Sequence, residues 1–161
     1  MSEPENKERF LINTQWLYVD EELKTIFSHA GVSQVWLEET IKPYIKRVLG
    51  EPYDKDNELK VYLSDINMMA PDESFGFISD NPFDYCGESV TQSCVWIRPS
   101  SLAKCCIEGY TQVVGHTPVK RECVNIKEAV KGKQNIWLCD ALHNRNYLVI
   151  EDEEFKSKGL L

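Results

Sequence analysis

Hydrophobic positions along the chain change period several times, and those changes divide it into elements. Over residues 5–18, Phe10, Leu11, Trp16 and Leu17 recur loosely at helical spacing, which predicts a short helix or helix plus turn. A short apolar strand is expected at 25–27, ending in Ser28-His29-Ala30-Gly31. From Val35 and Trp36 through Ile41, Ile45, Val48 and Leu49 the spacing is i, i+3, i+4, which predicts a helix. Ser33 suits its N-cap, Gly50 its end, and Pro43 is expected to kink or divide it. Residues 51–92 are rich in Asp, Asn, Ser, Pro and Gly and read as an irregular surface excursion or lid, interrupted by one apolar run, Leu-Lys-Val-Tyr-Leu-Ser-Asp-Ile. Residues 93–106 carry apolar side chains up to Arg98-Pro99 and then a helical turn. Further strands are expected at 110–115, about 122–126, 135–142 and 146–152, the last two joined as a hairpin through His143-Asn144-Arg145. The expectation is a single domain over 1–161, α/β and layered, with mostly antiparallel late strands.

Composition narrows the setting. At 161 residues and 18.6 kDa the chain is long enough for one domain with its own core. A net charge of −8 argues against nonspecific binding to nucleic acid or anionic membrane, which needs clustered Lys and Arg. No apolar run approaches the roughly 18 residues of a membrane span. The N-terminus is polar, so the expected location is cytoplasmic, with neither nucleic acid nor membrane as partner. The six cysteines, Cys86, Cys94, Cys105, Cys106, Cys123 and Cys139, contain no C-x-x-C pair and read as reduced thiols at half-buried positions, with no function.

The candidate chemistry lies at strand ends. His29 and His116 share a local pattern: a short apolar strand, the histidine at its C-terminal end, then small or turn residues (Ala-Gly in one case, Thr-Pro in the other). Sites in layered α/β folds gather beyond the carboxyl ends of strands, and two neutral imidazoles aimed at one point suit a shared cation. A single strand-end histidine is more often a structural or surface residue; the repetition of the pattern raises the metal reading. Arg98 follows an apolar run, and Pro99 biases it toward extended backbone. A guanidinium held there suits a phosphoryl group, while Arg98 taken alone reads more readily as half of a surface ion pair.

These residues sit inside longer motifs. Phe-Ser-His-Ala-Gly-Val-Ser-Gln-Val-Trp, then Asp-Tyr-Cys-Gly-Glu-Ser-Val-Thr-Gln-Ser-Cys-Val-Trp-Ile-Arg-Pro-Ser-Ser-Leu, then Gly-Tyr-Thr-Gln-Val-Val-Gly-His-Thr-Pro-Val resemble successive landmarks of calcineurin-like metallophosphoesterases. The branch resembled is that of bacterial and phage serine/threonine protein phosphatases. The resemblance implies a four-layer αββα sandwich and a hydrolase acting on phosphomonoesters through two divalent ions (Mn, Zn or Fe) that share a bridging water. It places His29 and His116 as ligands of the second metal and Arg98 on the phosphoryl oxygens.

The resemblance covers the C-terminal half of that family. The sequence contains no Gly-Asp dipeptide and no Gly-Asn-His, so the G-D-x-H-G, G-D-x-x-D-R-G and G-N-H segments that build the first metal site have no counterpart. The expectation is therefore a partial sandwich with at most one partial metal site. Its partners would be a phosphorylated substrate and a complementary N-terminal polypeptide or a second copy. A non-catalytic remnant or binding module is the alternative. A third reading makes the chain an intact enzyme with substitute ligands such as Asp65, Asp80, Asp84 or Asp140; His143 is expected to be solvent-exposed and without a role.

Overall fold

The computed structural model describes residues 15–51, 56–69, 75–76, 86–129 and 134–160. Seven strands are seen: β1 (Leu17–Asp20), β2 (Thr25–Ser28), β3 (Thr111–Val114), β4 (Val124–Ala129), β5 (Gln134–Leu138), β6 (Asn146–Glu151) and β7 (Glu154–Gly159). The first five form one sheet in the order β1-β2-β3-β5-β4, and among the described residues β6 and β7 pair as a separate two-stranded ribbon. The central strands β2, β3 and β5 run parallel, with β1 and β4 antiparallel at the two edges. The α/β expectation holds: among the late strands β4–β5 and β6–β7 pair antiparallel as expected, while β3–β5 together with β2–β3 makes the centre of the sheet parallel, which was not expected. Parallel pairing needs a long crossover, which the helices and loops between Ser28 and Thr111 provide.

Helix α1 is composite: an α-turn Gln34–Trp36, a π segment Leu37–Ile41 and an α segment Lys42–Val48. Ser33 caps it as expected, its Oγ accepting from Trp36 N at 2.9 Å while donating to Val90 O at 2.6 Å. Pro43 stands in the first turn of the last segment, where its missing N–H costs least. Its effect is division of the helix at the π segment. Gly50, past the end, has φ +93°.

Within 51–92 the apolar run is not irregular: Glu58–Ile66 is helix α2, whose Leu59, Tyr62, Leu63 and Ile66 face the core. Flanking turn-forming residues masked that helical stripe. Helix α3, Pro99–Cys105, follows Arg98 directly. Leu17 lies in β1, so Trp16 and Leu17 do not continue a helix; Phe10 and Leu11 fall outside the described residues.

Two apolar clusters cover one face of the sheet. Trp36, Leu37, Ile41, Ile45, Tyr62 and Phe75 pack α1 and α2 against β1 and β2; Ile97 and Leu102 pack α3 against Val114, Ile136 and Leu138. The cross-sheet row Ile26, Gln112 and Ile136 is wholly buried. A buried amide is tolerated only when satisfied. Gln112 meets that condition on both sides: Oε1 accepts from Val32 N at 2.7 Å and Nε2 donates to Val32 O at 2.8 Å. Gly31 beside it has φ +117°, and a Cβ there would stand 2.2 Å from Leu102 Cδ2. Only glycine lets this loop rest on α3.

The opposite face begins with Tyr18, Phe27, Val113 and Trp137 in one register row. The β6–β7 hairpin covers its β5 end: Phe155 stacks on Trp137 at 5.9 Å between centroids, and Ser157 Oγ accepts from Cys123 N. The hairpin expected between 135–142 and 146–152 does not form: β5 and β6 lie in different sheets. His143 and Asn144 lie in a 3-10 turn, Leu142–Asn144, and Arg145 adopts left-handed backbone to start β6 in a separate ribbon.

Candidate functional site

Because β2 and β3 are parallel and in register, Ser28 opposite Val114, their C-termini open at the same level. His29 leaves β2 at that edge and His116 follows β3 after one residue, with Gly115 N donating to His29 O at 3.0 Å. The two imidazoles meet: His29 Nε2 and His116 Nδ1 are 2.9 Å apart, with rings inclined at 73°. Strand β5 ends beside them, Cys139 N donating to Val114 O and Val119 N to Asp140 O. Three parallel strand ends thus present His29, His116 and Asp140 along one edge.

His116 is held in a strained turn. Its φ is +47°, left-handed backbone that side chains other than Gly, Asn, Asp and His rarely adopt, and Thr117 N donates back to Gly115 O across it. Pro118 follows. The result turns the ring toward His29 and leaves Nε2 buried without a hydrogen-bond partner among the described residues, as are Ser28 Oγ and Thr117 Oγ1. Burial pushes the His116 pKa down, the charges of His29 and Arg98 add to this, and Asp140 opposes them. The ring is neutral at neutral pH and offers a lone pair.

Arg98 reaches the same neighbourhood by a different route from the one expected. It stands at the N-terminal boundary of α3 after a series of turns, with no strand in the described residues 86–97 that lead into it. Its backbone is extended (ψ 151°), as Pro99 requires. Arg98 Nε donates to Cys86 O at 2.5 Å and Arg98 N to Gly87 O, which orients the guanidinium. Trp96, 41% exposed, sets its ring edge-on to His116 at 6.1 Å between centroids.

Two imidazole nitrogens bound to one tetrahedral zinc at about 2.0–2.1 Å lie roughly 3.3 Å apart. The observed 2.9 Å is shorter and is hydrogen-bond length: one ring donates to the other, so the pair can share an ion only when a change of tautomer takes that proton out of the contact and the rings part by a few tenths of an ångström. Among the described residues no group of three His, Cys, Asp or Glu side chains is placed to hold a metal, so Asp65 and Asp140 do not complete the set. Asp65 lies on α2 along a groove with Asn57, Lys60 and Ser64; Asp80 and Asp84 fall outside the described residues. His143 is exposed, as expected, and bonded to Asn144.

Sequence reasoning did not place Asp140 or Trp96 beside His116. The signal for Asp140 was available only through strand order, since its position depends on β5 lying beside β3. Comparison with known proteins finds no matching family model, and no significant match among curated proteins or solved structures.

Proposed function

We propose that the chain contributes half of a metallophosphoesterase-type phosphatase site, acting on phosphomonoesters such as phosphoserine or phosphothreonine. His29 and His116 hold one divalent cation, Mn, Zn or Fe. Arg98 grips the phosphoryl oxygens, its planar fork matching two of them at once. The bound cation would supply a water of lowered pKa and charge neutralisation on phosphorus. The remaining ligands would come from a complementary polypeptide that also completes the four-layer αββα sandwich, or from a second copy of the chain.

One observation carries this reading: the 2.9 Å meeting of His29 and His116, 87 residues apart in sequence, at the carboxyl ends of adjacent parallel strands. A neutral His116 near the Arg98 charge is the electrostatic arrangement a cation–phosphate pair requires. The second reading, a non-catalytic binding module of the same fold, is favoured by the lack of a third metal-holding side chain among the described residues.

Calorimetric titration with Mn²⁺ and Zn²⁺ separates the two. The phosphatase reading expects saturable binding weakened more than about tenfold by His29→Ala and by His116→Asn. Hydrolysis of a phenyl phosphomonoester should appear when a chain carrying the complementary carboxylates is added, and Arg98→Lys should depress it. Metal binding indifferent to both histidines would overturn the assignment.

A further inference from the structure

Two thiols outside the candidate site flank the end of the β4–β5 ladder, Cys123 before Val124 and Cys139 after Leu138, the Cys139 thiol donating to Val114 O at 3.2 Å. Val124 is registered with Leu138 in an antiparallel ladder, and one more step places Cys123 opposite Cys139. The hydrogen bonds identify what kind of position this is. Cys139 N donates away from β4, to Val114 O, and Cys123 N donates to Ser157 Oγ. Neither amide bridges the two cysteines, so the ladder continued by one step would make them a non-hydrogen-bonded pair, the type whose Cα atoms approach to about 4.5 Å, and a rotation of the Cys139 side chain away from Val114 O would turn its sulfur toward Cys123. That spacing lies within the range a disulfide spans. Both thiols belong to the same apolar cluster, and the Cys123 group acts electrostatically on Cys139.

We propose that Cys123 and Cys139 form a reversible intramolecular disulfide when the protein meets a peroxide. The order of events follows from exposure, Cys139 being half-buried and Cys123 buried. The Cys139 thiolate attacks a peroxide oxygen, breaking the O–O bond, and becomes a sulfenic acid while the other oxygen leaves as an alcohol or water. The Cys123 sulfur then displaces the sulfenic hydroxyl, which leaves as water, and the S–S bond forms. Two thiols and one hydroperoxide become one disulfide, one alcohol and one water; each sulfur is oxidised by one electron and the peroxide is reduced by two. A dithiol reductant reverses the step by exchange.

The bond would lie next to Asp140, whose carbonyl accepts from Val119 N and whose charge acts on His116. It would therefore lock the far end of the turn that carries His116. Burial, with Cys123 and Asp140 adding to it, pushes the Cys139 thiol up, so its oxidation should accelerate with rising pH.

The native chain provides the primary test. After hydrogen peroxide treatment at mildly alkaline pH, blocking of free thiols and tryptic digestion without reductant, residues 122–127 and 134–145 should appear as one linked species. Its mass should be the sum of the two peptides less two hydrogens, and dithiothreitol should split it. Each peptide contains a single cysteine, so the link is unambiguous. Cys105→Ser and Cys106→Ser should leave its yield unchanged. Oxidation confined to exposed Cys86, or Cys123 and Cys139 recovered fully as blocked thiols, would overturn the proposal, as would a link from either to another cysteine.

Discussion

His116 combines three properties that rarely coincide: left-handed backbone, a buried Nε2 without a partner among the described residues, and a pKa held below that of a free imidazole. The sign of the pH effect follows directly. A group that binds its proton more weakly in the folded than in the unfolded chain makes stability rise with pH and fall as pH drops through the unfolded value near 6.5. Urea midpoints measured between pH 8 and pH 5 should therefore decline, and His116→Asn should flatten the decline. Asparagine is the right replacement because it tolerates the same backbone. An unchanged pH slope in the variant would show that another group titrates. At this scale His29 and His116 were readable from sequence because a strand followed by a turn leaves a local trace. Gln112 was not readable: a glutamine inside a strand gives no sign that its amide will be clamped by Val32.

Among the elements, α1 shows what local rules determine. Its cap and its end obey them, and Pro43 divides it where expected. Ser33 is wholly buried, so its hydroxyl serves both the helix N-terminus and the Val90 carbonyl. Ser33→Ala removes the cap and leaves that carbonyl without its donor, which should lower unfolding free energy by about 1–3 kcal/mol. Chemical denaturation measures this; a loss under about 0.5 kcal/mol would mean that water replaces the hydroxyl at little cost. Strand β6 falls where a strand was expected, but helix α2 and the partner strand β7 were missed, for opposite reasons. The first is short and flanked by turn formers. In the second, residues 154–159 alternate too many charges for a strand to be evident from hydrophobicity, and the ribbon depends on Phe155 finding Trp137.

For the whole molecule the decisive fact is strand order. A run of late strands suggests antiparallel neighbours, yet β3 and β5 join β2 as a parallel centre, and that is what aligns the strand ends. Sequence patterns specify which residues are apolar but not which distant strand each will adjoin. Among the described residues β1 and β4 are the outer strands, and Tyr18 on β1 is 57% exposed. Such an edge favours association, while a net charge of −8 opposes it. Raising salt from about 0.05 M to about 1 M contracts the screening length to roughly 3 Å and removes most of that repulsion. Sedimentation should then shift toward larger species, and Tyr18→Lys should reverse the shift. A monomer at every salt concentration would mean the edge is not adhesive.

The 87-residue separation between the paired imidazoles has a further consequence. Strand β2 cannot meet β3 until the whole intervening crossover has closed, a loop whose entropy must be met before the contact returns anything. No partly folded chain, and no chain still emerging from the ribosome before residue 116, can present both rings together. Any ligand that bridges them therefore recognises completed topology and, by mass action, opposes unfolding of the entire span. The pair would then act as a lock on the finished molecule.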